Sequence, residues 1–519
     1  MTGGALFSVY SYGSANVLLN DNPDFTYYYK VLKRYSHFSF ETVNQAPDGP
    51  NELFYDQPIK LRLKIPRVGD LLTDMMFTFD LPDIYSKYAT PTPNRPYQYE
   101  FQWTRYVGLQ ILSNVSFYVG GQKIQEFDTD YLIAKANSDY NSDTLFKWRQ
   151  LVGDIPELYE PANGQWAGGS TQSSYPTVVK ATSTGAQVNR PSIFGQKIYV
   201  PLPFWFAQSV SQALPLVSLQ YQETEVQLTL RPIQELYTIL DPSGFRMRPN
   251  FRVISSQKTL LANQAEYINY TDLSGAFNAF AVDIGYTTPS LNTWPFNPQI
   301  QLTYAYLTDS ERATFAITPL NYILYQQTPF RYQNITSRTT FDLDIHNPVV
   351  RLLIVPRRND QLQTRNAVSN WTNWWNYPRV PWQASPGGQY AAQLVFASGI
   401  LIPNSQKDII ASIRVVLDGT EVQQEMPISF FTKVTPYKYV NGSSGSDGQI
   451  LPIISFSLNS PGDQPSGSVN ASRIRLFQVE VNPYPLPAKS VYTYEMTVYA
   501  ETINFFTVQN GNGGLKYAL

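Results

Sequence analysis

His37 and His346 are the only histidines in a chain of 519 residues that contains no cysteine. They stand in different halves, each beside apolar, strand-like sequence. Acid-base and nucleophilic sites need convergent partners, so both histidines read as structural and no catalytic residue is expected. Without thiols there is no disulfide framework, no Cys-ligated zinc and no sulfur nucleophile. The acidic run Glu126, Asp128, Asp130 (EFDTD) could offer oxygens to a cation, because alternate residues of a strand share a face. It lacks the glycine and terminal glutamate of an EF-hand loop, so neither a metal nor a cofactor is expected. Asn370 to Trp382 (NWTNWWNYPRVPW) brings Trp371, Trp374, Trp375 and Trp382 together. Such a cluster can stack sugars, or can pack an insertion onto its own rings, and the second reading is preferred. A carboxylate pair for glycoside hydrolysis is a three-dimensional property, and nothing in the sequence points to one. Asn-x-Ser/Thr sequons occur at Asn114, Asn269, Asn334, Asn370, Asn441 and Asn470. Asn114 falls in strand-like sequence, and most of the six read as chance matches. Lys30, Lys33 and Arg34 either meet anionic lipid or an acidic protein, or are solvated charges on a helix face; both readings stay open.

The elements that must position these residues are strands. Val115 to Phe127 (VSFYVGGQKIQEF) and Ile413 to Met426 (IRVVLDGTEVQQEM) each read as strand, two-residue turn and polar-alternating return. Gly120-Gly121 and Asp418-Gly419 reach the positive φ that such turns require. Tyr199 to Leu230 has a later counterpart in Ile453 to Val481, both predicted as strand, polar loop and long strand. Leu302 to Leu307 matches Met496 to Glu501, each followed by a segment able to form a helical turn. One order of elements occurs twice, which predicts two similar β domains in tandem.

Composition agrees. The chain is too long for one core. Aromatics reach 14%, charged residues only 15% against the usual quarter or so, and net charge is -2. No block of five or six basic residues occurs, so extensive contact with nucleic acid is not expected. No run of 18 apolar residues occurs, and MTGGALFSVYSYG has no basic segment followed by a continuous apolar one. The expectation is a chain that neither spans a membrane nor carries a secretion signal.

Residues 1–24 read as an arm broken by Gly3, Gly4, Gly13 and the Asn20 to Pro23 turn, needing a partner surface to become ordered. A first domain is expected over 25–312, with strands at Pro58 to Ile65 and Leu71 to Leu81. A second is expected over 313–506, with strands at Thr339 to Ile345 and Val349 to Pro356. A tail, 507–519, closes the chain; from Gln509 it is Gly-rich and also reads as made to lie against something. Asp154 to Arg190, Ile233 to Pro298 and Arg357 to Gly388 read as insertions, and Tyr439 to Gly448 as a flexible tip.

Asn16 to Glu41 (NVLLNDNPDFTYYYKVLKRYSHFSFE), Arg67 to Leu81 (RVGDLLTDMMFTFDL), Leu214 to Tyr221 (LPLVSLQY), Leu307 to Phe315 (LTDSERATF), Gln464 to Ile474 (QPSGSVNASRI) and Tyr499 to Tyr517 (YAETINFFTVQNGNGGLKY) occur in this order. Together they resemble blocks of the major capsid proteins of nucleocytoplasmic large DNA viruses, the double jelly-roll family of chlorella-virus and iridovirus shells. The departures are the insertions, which bear on loop architecture and the outer surface. The resemblance implies an all-β fold of two tandem eight-stranded antiparallel jelly rolls with long loop insertions and a few short helices. It further implies a homotrimeric, pseudo-hexameric capsomer that tiles an icosahedral virion shell and is assembled in the host cytoplasm, where sequons escape the secretory enzymes. Long loops would decorate the outer face, and the base would meet neighbouring capsomers, minor capsid proteins and an inner membrane. The role it implies is structural rather than enzymatic. The alternative is a jelly-roll protein that binds or acts on carbohydrate.

Overall fold

The computed structural model describes residues 3–10, 13–85, 101–159, 191–240, 246–249, 276–282, 287–374, 395–396, 399–400, 407–445, 449–460, 462, 464–486, 490 and 492–517. It falls into two compact units, 1–39 and 40–519. The first holds two short helices, α1 (Gly3–Tyr10) and α2 (Ser14–Asn20). Gly3 and Gly4 therefore open a helix instead of breaking the arm, and α2 buries no side chain.

Alternation of apolar and polar residues builds the second unit. In β2 (Ile59–Lys64), Ile59, Leu61 and Leu63 are buried while Lys60, Arg62 and Lys64 are exposed, the period of a sheet with one wet face. The first roll uses β1 (Phe38–Gln45), β2, β3 (Leu71–Asp80), β4 (Leu112–Val119), β5 (Gln122–Asp128), β6 (Lys197–Pro201), β7 (Thr224–Leu230) and β8 (Gln299–Leu307). Its two sheets run β1, β8, β3, β6 and β2, β7, β4, β5. After a helix over Asp309–Ile317, the second roll uses β9 (Leu320–Ile335), β10 (Thr339–Asp342), β11 (Pro348–Arg358), β12 (Ile410–Leu417), β13 (Thr420–Pro427), β14 (Ile453–Ser455), β15 (Phe477–Pro483) and β16 (Tyr494–Gln509). Its sheets run β9, β16, β11, β14 and β10, β15, β12, β13, the same path strand for strand. This is the jelly-roll order, made twice. The two hairpins read from sequence are β4–β5 and β12–β13, and they sit at the same sheet edge in each roll. Their turns carry φ of 57° and 82° at Gly120-Gly121 and 48° and 78° at Asp418-Gly419, as the right-handed strand twist demands.

Helices fill the connections: α3 (Thr129–Asp139) and α4 (Ser142–Leu151) follow β5, α5 (Asp309–Ile317) joins the rolls, and α6 (Asn359–Arg365) follows β11. Pairing in the first roll aligns the end of β7 with the start of β4 and the start of β4 with the end of β5 (Leu230 opposite Leu112, Asn114 opposite Asp128). The long connections 129–196 and 231–298 thus leave from one end of the sandwich. Residues 160–190, 241–245, 250–275, 283–286 and 375–388 of the expected insertions, and 446–448 of the expected tip, lie outside the described residues. The described parts are partly regular: Tyr237–Leu240 pairs with Phe101–Trp103, and Thr293–Pro295 with Glu52–Phe54. The insertion expected from Arg357 begins later, because Arg357 and Arg358 still belong to β11.

Two expectations are corrected. Residues 439–445 are no free tip, since Gly442 N and Ser443 N donate to the carbonyls of Ser138 and Asn137, both at 2.8 Å. The C-terminal tail, expected to lie against something, does so within its own chain, and the element before it differs from expectation. No helical turn follows Met496 to Glu501; β16 runs on to Gln509, turns through Asn510 (φ 52°) and Gly511 (φ 79°), and returns as β17 (Asn512–Leu515). Gly513 N then donates to Gln222 Oε1 at 2.7 Å and Leu515 N to Gln122 Oε1 at 3.3 Å, so the last strand bonds to the first roll. Removing residues 510–519 should destabilise the unassembled chain by on the order of 2–4 kcal/mol, the scale of several lost hydrogen bonds and one half-buried leucine, Leu515. A thermal melt of the truncated protein checks this, and an unchanged melt would refute it.

Candidate functional site

The second roll buries both faces of one sheet. Leu352 and Ile354 of β11 and Met496, Val498 and Ala500 of β16 face its own core. Leu353, Val355 and Tyr499 point the other way and join the core of the first roll. Arg351 and Glu501 lie opposite each other on that second face, 0% and 1% exposed. A guanidinium there must be paired, since an unpaired buried charge is prohibitive.

The pairing comes from both rolls. Arg351 Nε donates to Glu501 Oε2 at 2.5 Å and Nη2 to Oε1 at 2.9 Å, a two-pronged pair within the second roll. Its Nη1 reaches across to Asp139 Oδ1 of α3 at 2.6 Å. Lys135 Nζ holds the other Asp139 oxygen at 2.8 Å, and Tyr131 of α3 donates to Glu501 Oε1 at 2.6 Å. Two cations and two anions close a neutral cluster. Burial alone would raise the Asp139 pKa; Arg351 and Lys135 outweigh it and hold the carboxyl well below the usual range. Burial would lower the Arg351 pKa, but Asp139 and Glu501 hold it above its ordinary value. Burial and Glu501 push the Tyr131 phenol up, so it stays a donor.

Placement of α3 follows from its sequence. Asp128 ends β5 and accepts from Tyr131 N at 2.9 Å, an N-cap that starts the helix where the strand stops. At the other end, the Asn137 and Ser138 carbonyls, which a helix cannot satisfy itself, take the Gly442 and Ser443 amides of the second roll. Asn137 Nδ2 also donates to Gln449 Oε1 at 2.8 Å. Beside the helix, the outermost strands β5 and β9 clasp through glutamines. Gln125 donates to Tyr325 O at 2.8 Å, Gln326 to Ile124 O at 2.7 Å and Gln327 to Glu126 O at 3.0 Å.

The expected acidic cluster belongs to this seam and not to a strand face. Asp128 accepts from Tyr499 Oη, 2.9 Å to each oxygen, and from Arg331 Nη2 at 3.0 Å; Asp130 accepts from Arg357 Nη2 at 2.7 Å. Burial and then the neighbouring Asp130 raise the Asp128 pKa. Glu126 is bound by Lys123 and Asn114. Among the described residues no three His, Asp or Glu side chains converge as a cation would need. His37 and His346 are both exposed instead of packed against strands, with His346 Nε2 3.6 Å from Asp344.

Trp371 is fully buried in the core and Trp374 sits under Lys407, while Trp375 and Trp382 lie outside the described residues. The described part of the Trp segment is thus packing, not an open stacking platform. Of the sequons, Asn370 and Asn470 accept from the hydroxyl two residues on, at 2.7 and 2.6 Å, the local turn that Asn-x-Ser/Thr favours. Asn114 is half-buried, Asn334 and Asn441 are exposed, and Asn269 lies outside the described residues. Lys30, Lys33 and Arg34 are exposed on irregular chain, which removes the helix-face reading.

Sequence reasoning missed Arg351, Glu501, Asp139 and Tyr131. One signal was present: an arginine inside the apolar run Pro348–Arg358 (PVVRLLIVPRR).

Two sandwiches with one strand order, joined by a sheet buried on both faces, define a double jelly roll. Residues 26–273 match the family model described as major capsid protein N-terminus, and 311–514 the one described as large eukaryotic DNA virus major capsid protein. The chain belongs to the major capsid proteins of large eukaryotic DNA viruses. It is 24% identical to the major capsid protein of Paramecium bursaria Chlorella virus 1 over 99% of both chains. Its identity to that of Frog virus 3 is 22%, over 87% of this chain and 84% of the relative. The same fold appears in the PBCV-1 virus capsid (TM-score 0.62, 20% identity, 95% of this chain and 100% of that one). The Faustovirus major capsid protein shares it as well (TM-score 0.61, 14% identity, 97% and 96%).

Replacing Arg351 by Ala leaves Glu501 buried without a cation and Asp139 with Lys135 alone, and should cost about 3–5 kcal/mol in a denaturant titration, whereas Arg351→Met with Glu501→Leu should cost much less. Asp139 ionises more easily folded than unfolded, so its contribution is complete above its unfolded pKa near 4. It is lost as pH falls from there through the depressed folded value. Melting temperature should therefore drop on going from pH 7 to pH 3, and drop less in Arg351→Met.

Proposed function

We propose that three copies of this chain close head to tail into a pseudo-hexagonal capsomer that tiles an icosahedral shell. One observation carries the reading. Inside the chain, edge strand β5 of the first roll is largely buried against edge strand β9 of the second. The equivalent edges, β13 of the second roll and β1 of the first, are mostly exposed, with Val422 at 53% and Phe40 at 51%. An interface made once internally and left open at both ends is heterologous, and it closes into a ring when the rotation permits; two rolls per chain and three chains give six similar sides.

Division of the chain near residues 312–313 and the virion location, with assembly in the host cytoplasm, belong to the same reading. So do a structural, non-enzymatic role, outward projection of the insertions, and contacts of the base with minor capsid proteins and an inner membrane. The order of elements and the relatives' printed names support the capsid role; among the described residues nothing specific favours a carbohydrate site.

Light scattering on the purified chain should give three times 58.9 kDa. Val422→Lys on β13 should shift the mass toward a monomer while leaving the chain folded. A monomeric wild-type protein, or a trimer indifferent to charge on both β13 and β1, would contradict the proposal.

A further inference from the structure

Residues 25–35 of the first compact unit expose Phe25, Tyr27, Tyr28, Tyr29, Leu32 and Tyr35 at 66–99%. Lys30, Lys33 and Arg34 lie among these rings, and the stretch from Phe25 to Phe40 holds no carboxylate. In a chain of net charge -2 this is a local reversal of sign. None of the three cations has an ion pair among the described residues. A patch of this kind on a soluble protein marks a contact surface.

We infer that Phe25 to Tyr35 docks on an anionic lipid bilayer. Tyrosine rings are apolar along their body and polar at the tip, which suits the zone between headgroups and acyl chains. The long lysine and arginine stems let the charge reach headgroup phosphates while their methylenes stay in that zone. Complementarity selects negatively charged lipid in preference to neutral lipid, because each cation near such a surface adds attraction and an acid-free segment loses none of it. The proposal narrows the base contact named above from a type of partner to a chemistry. Its test uses no assembled shell, so it can fail while the capsomer reading stands.

The full-length protein is mixed with phosphatidylcholine vesicles, with and without phosphatidylserine, and sedimented. Wild type should pellet with the phosphatidylserine vesicles only, and less as salt rises. Lys30→Glu, Lys33→Glu and Arg34→Glu together should weaken binding by on the order of a hundredfold or more. The Gln triple variant should fall between, and its melting temperature, matched to wild type, separates lost docking from lost folding. Equal pelleting with neutral vesicles, or Glu-variant binding equal to wild type, would overturn the inference. So would failure to pellet combined with protection of this segment from trypsin in intact particles, which would assign it to a protein partner.

Discussion

A guanidinium with no access to water, Arg351, governs how the two rolls are joined. A jelly-roll sheet normally offers one apolar and one polar face, and β11 and β16 offer two buried ones. Apolar residues fill most of the second face, but Arg351 and Glu501 leave one acceptor position that only the other roll can supply. Asp139 supplies it, and α3 must then lie across this sheet with its capped start at Asp128 and its open end under the Gly442 and Ser443 amides. Low dielectric makes each of these bonds stronger and each omission more costly, so the seam admits one arrangement.

This arrangement breaks the symmetry of the repeat in a useful way. Strands β5 and β13 follow equivalent turns and occupy equivalent edges, yet one is covered and the other is not. The duplicated sequence is therefore used differently in each copy: the first edge joins the rolls within the chain, and the second is left open, which is what the proposed capsomer would use. For the proposed ring a rigid seam would matter, because the angle between the rolls would set whether successive copies meet as a closed ring.

Strand order and the repeat were legible because the signals are local. Gly120-Gly121 and Asp418-Gly419 demand tight turns, and period-2 alternation in Ile59–Lys64 declares a face. The last hairpin carried an equally strong signal, Asn510-Gly511, but the Gly-rich chain end was read only as a tail made to lie against something. The helix α3 gave no amphipathic pattern, since Tyr131, Leu132, Ile133, Ala134 and Ala136 are all buried, as a helix between two domains requires. Partners in the seam were out of reach for a different reason. Arg351 lies 150 positions from Glu501 and 212 from Asp139, and no local rule links such residues.

If the seam fuses the rolls, they must unfold together. Differential scanning calorimetry of the unassembled chain near neutral pH measures this directly. One transition, with calorimetric and van't Hoff enthalpies in agreement and shifted as a whole by loss of Arg351, is the predicted result. Two separate transitions, one of them untouched by that substitution, would show that the rolls are independent domains and that the seam does not govern the fold.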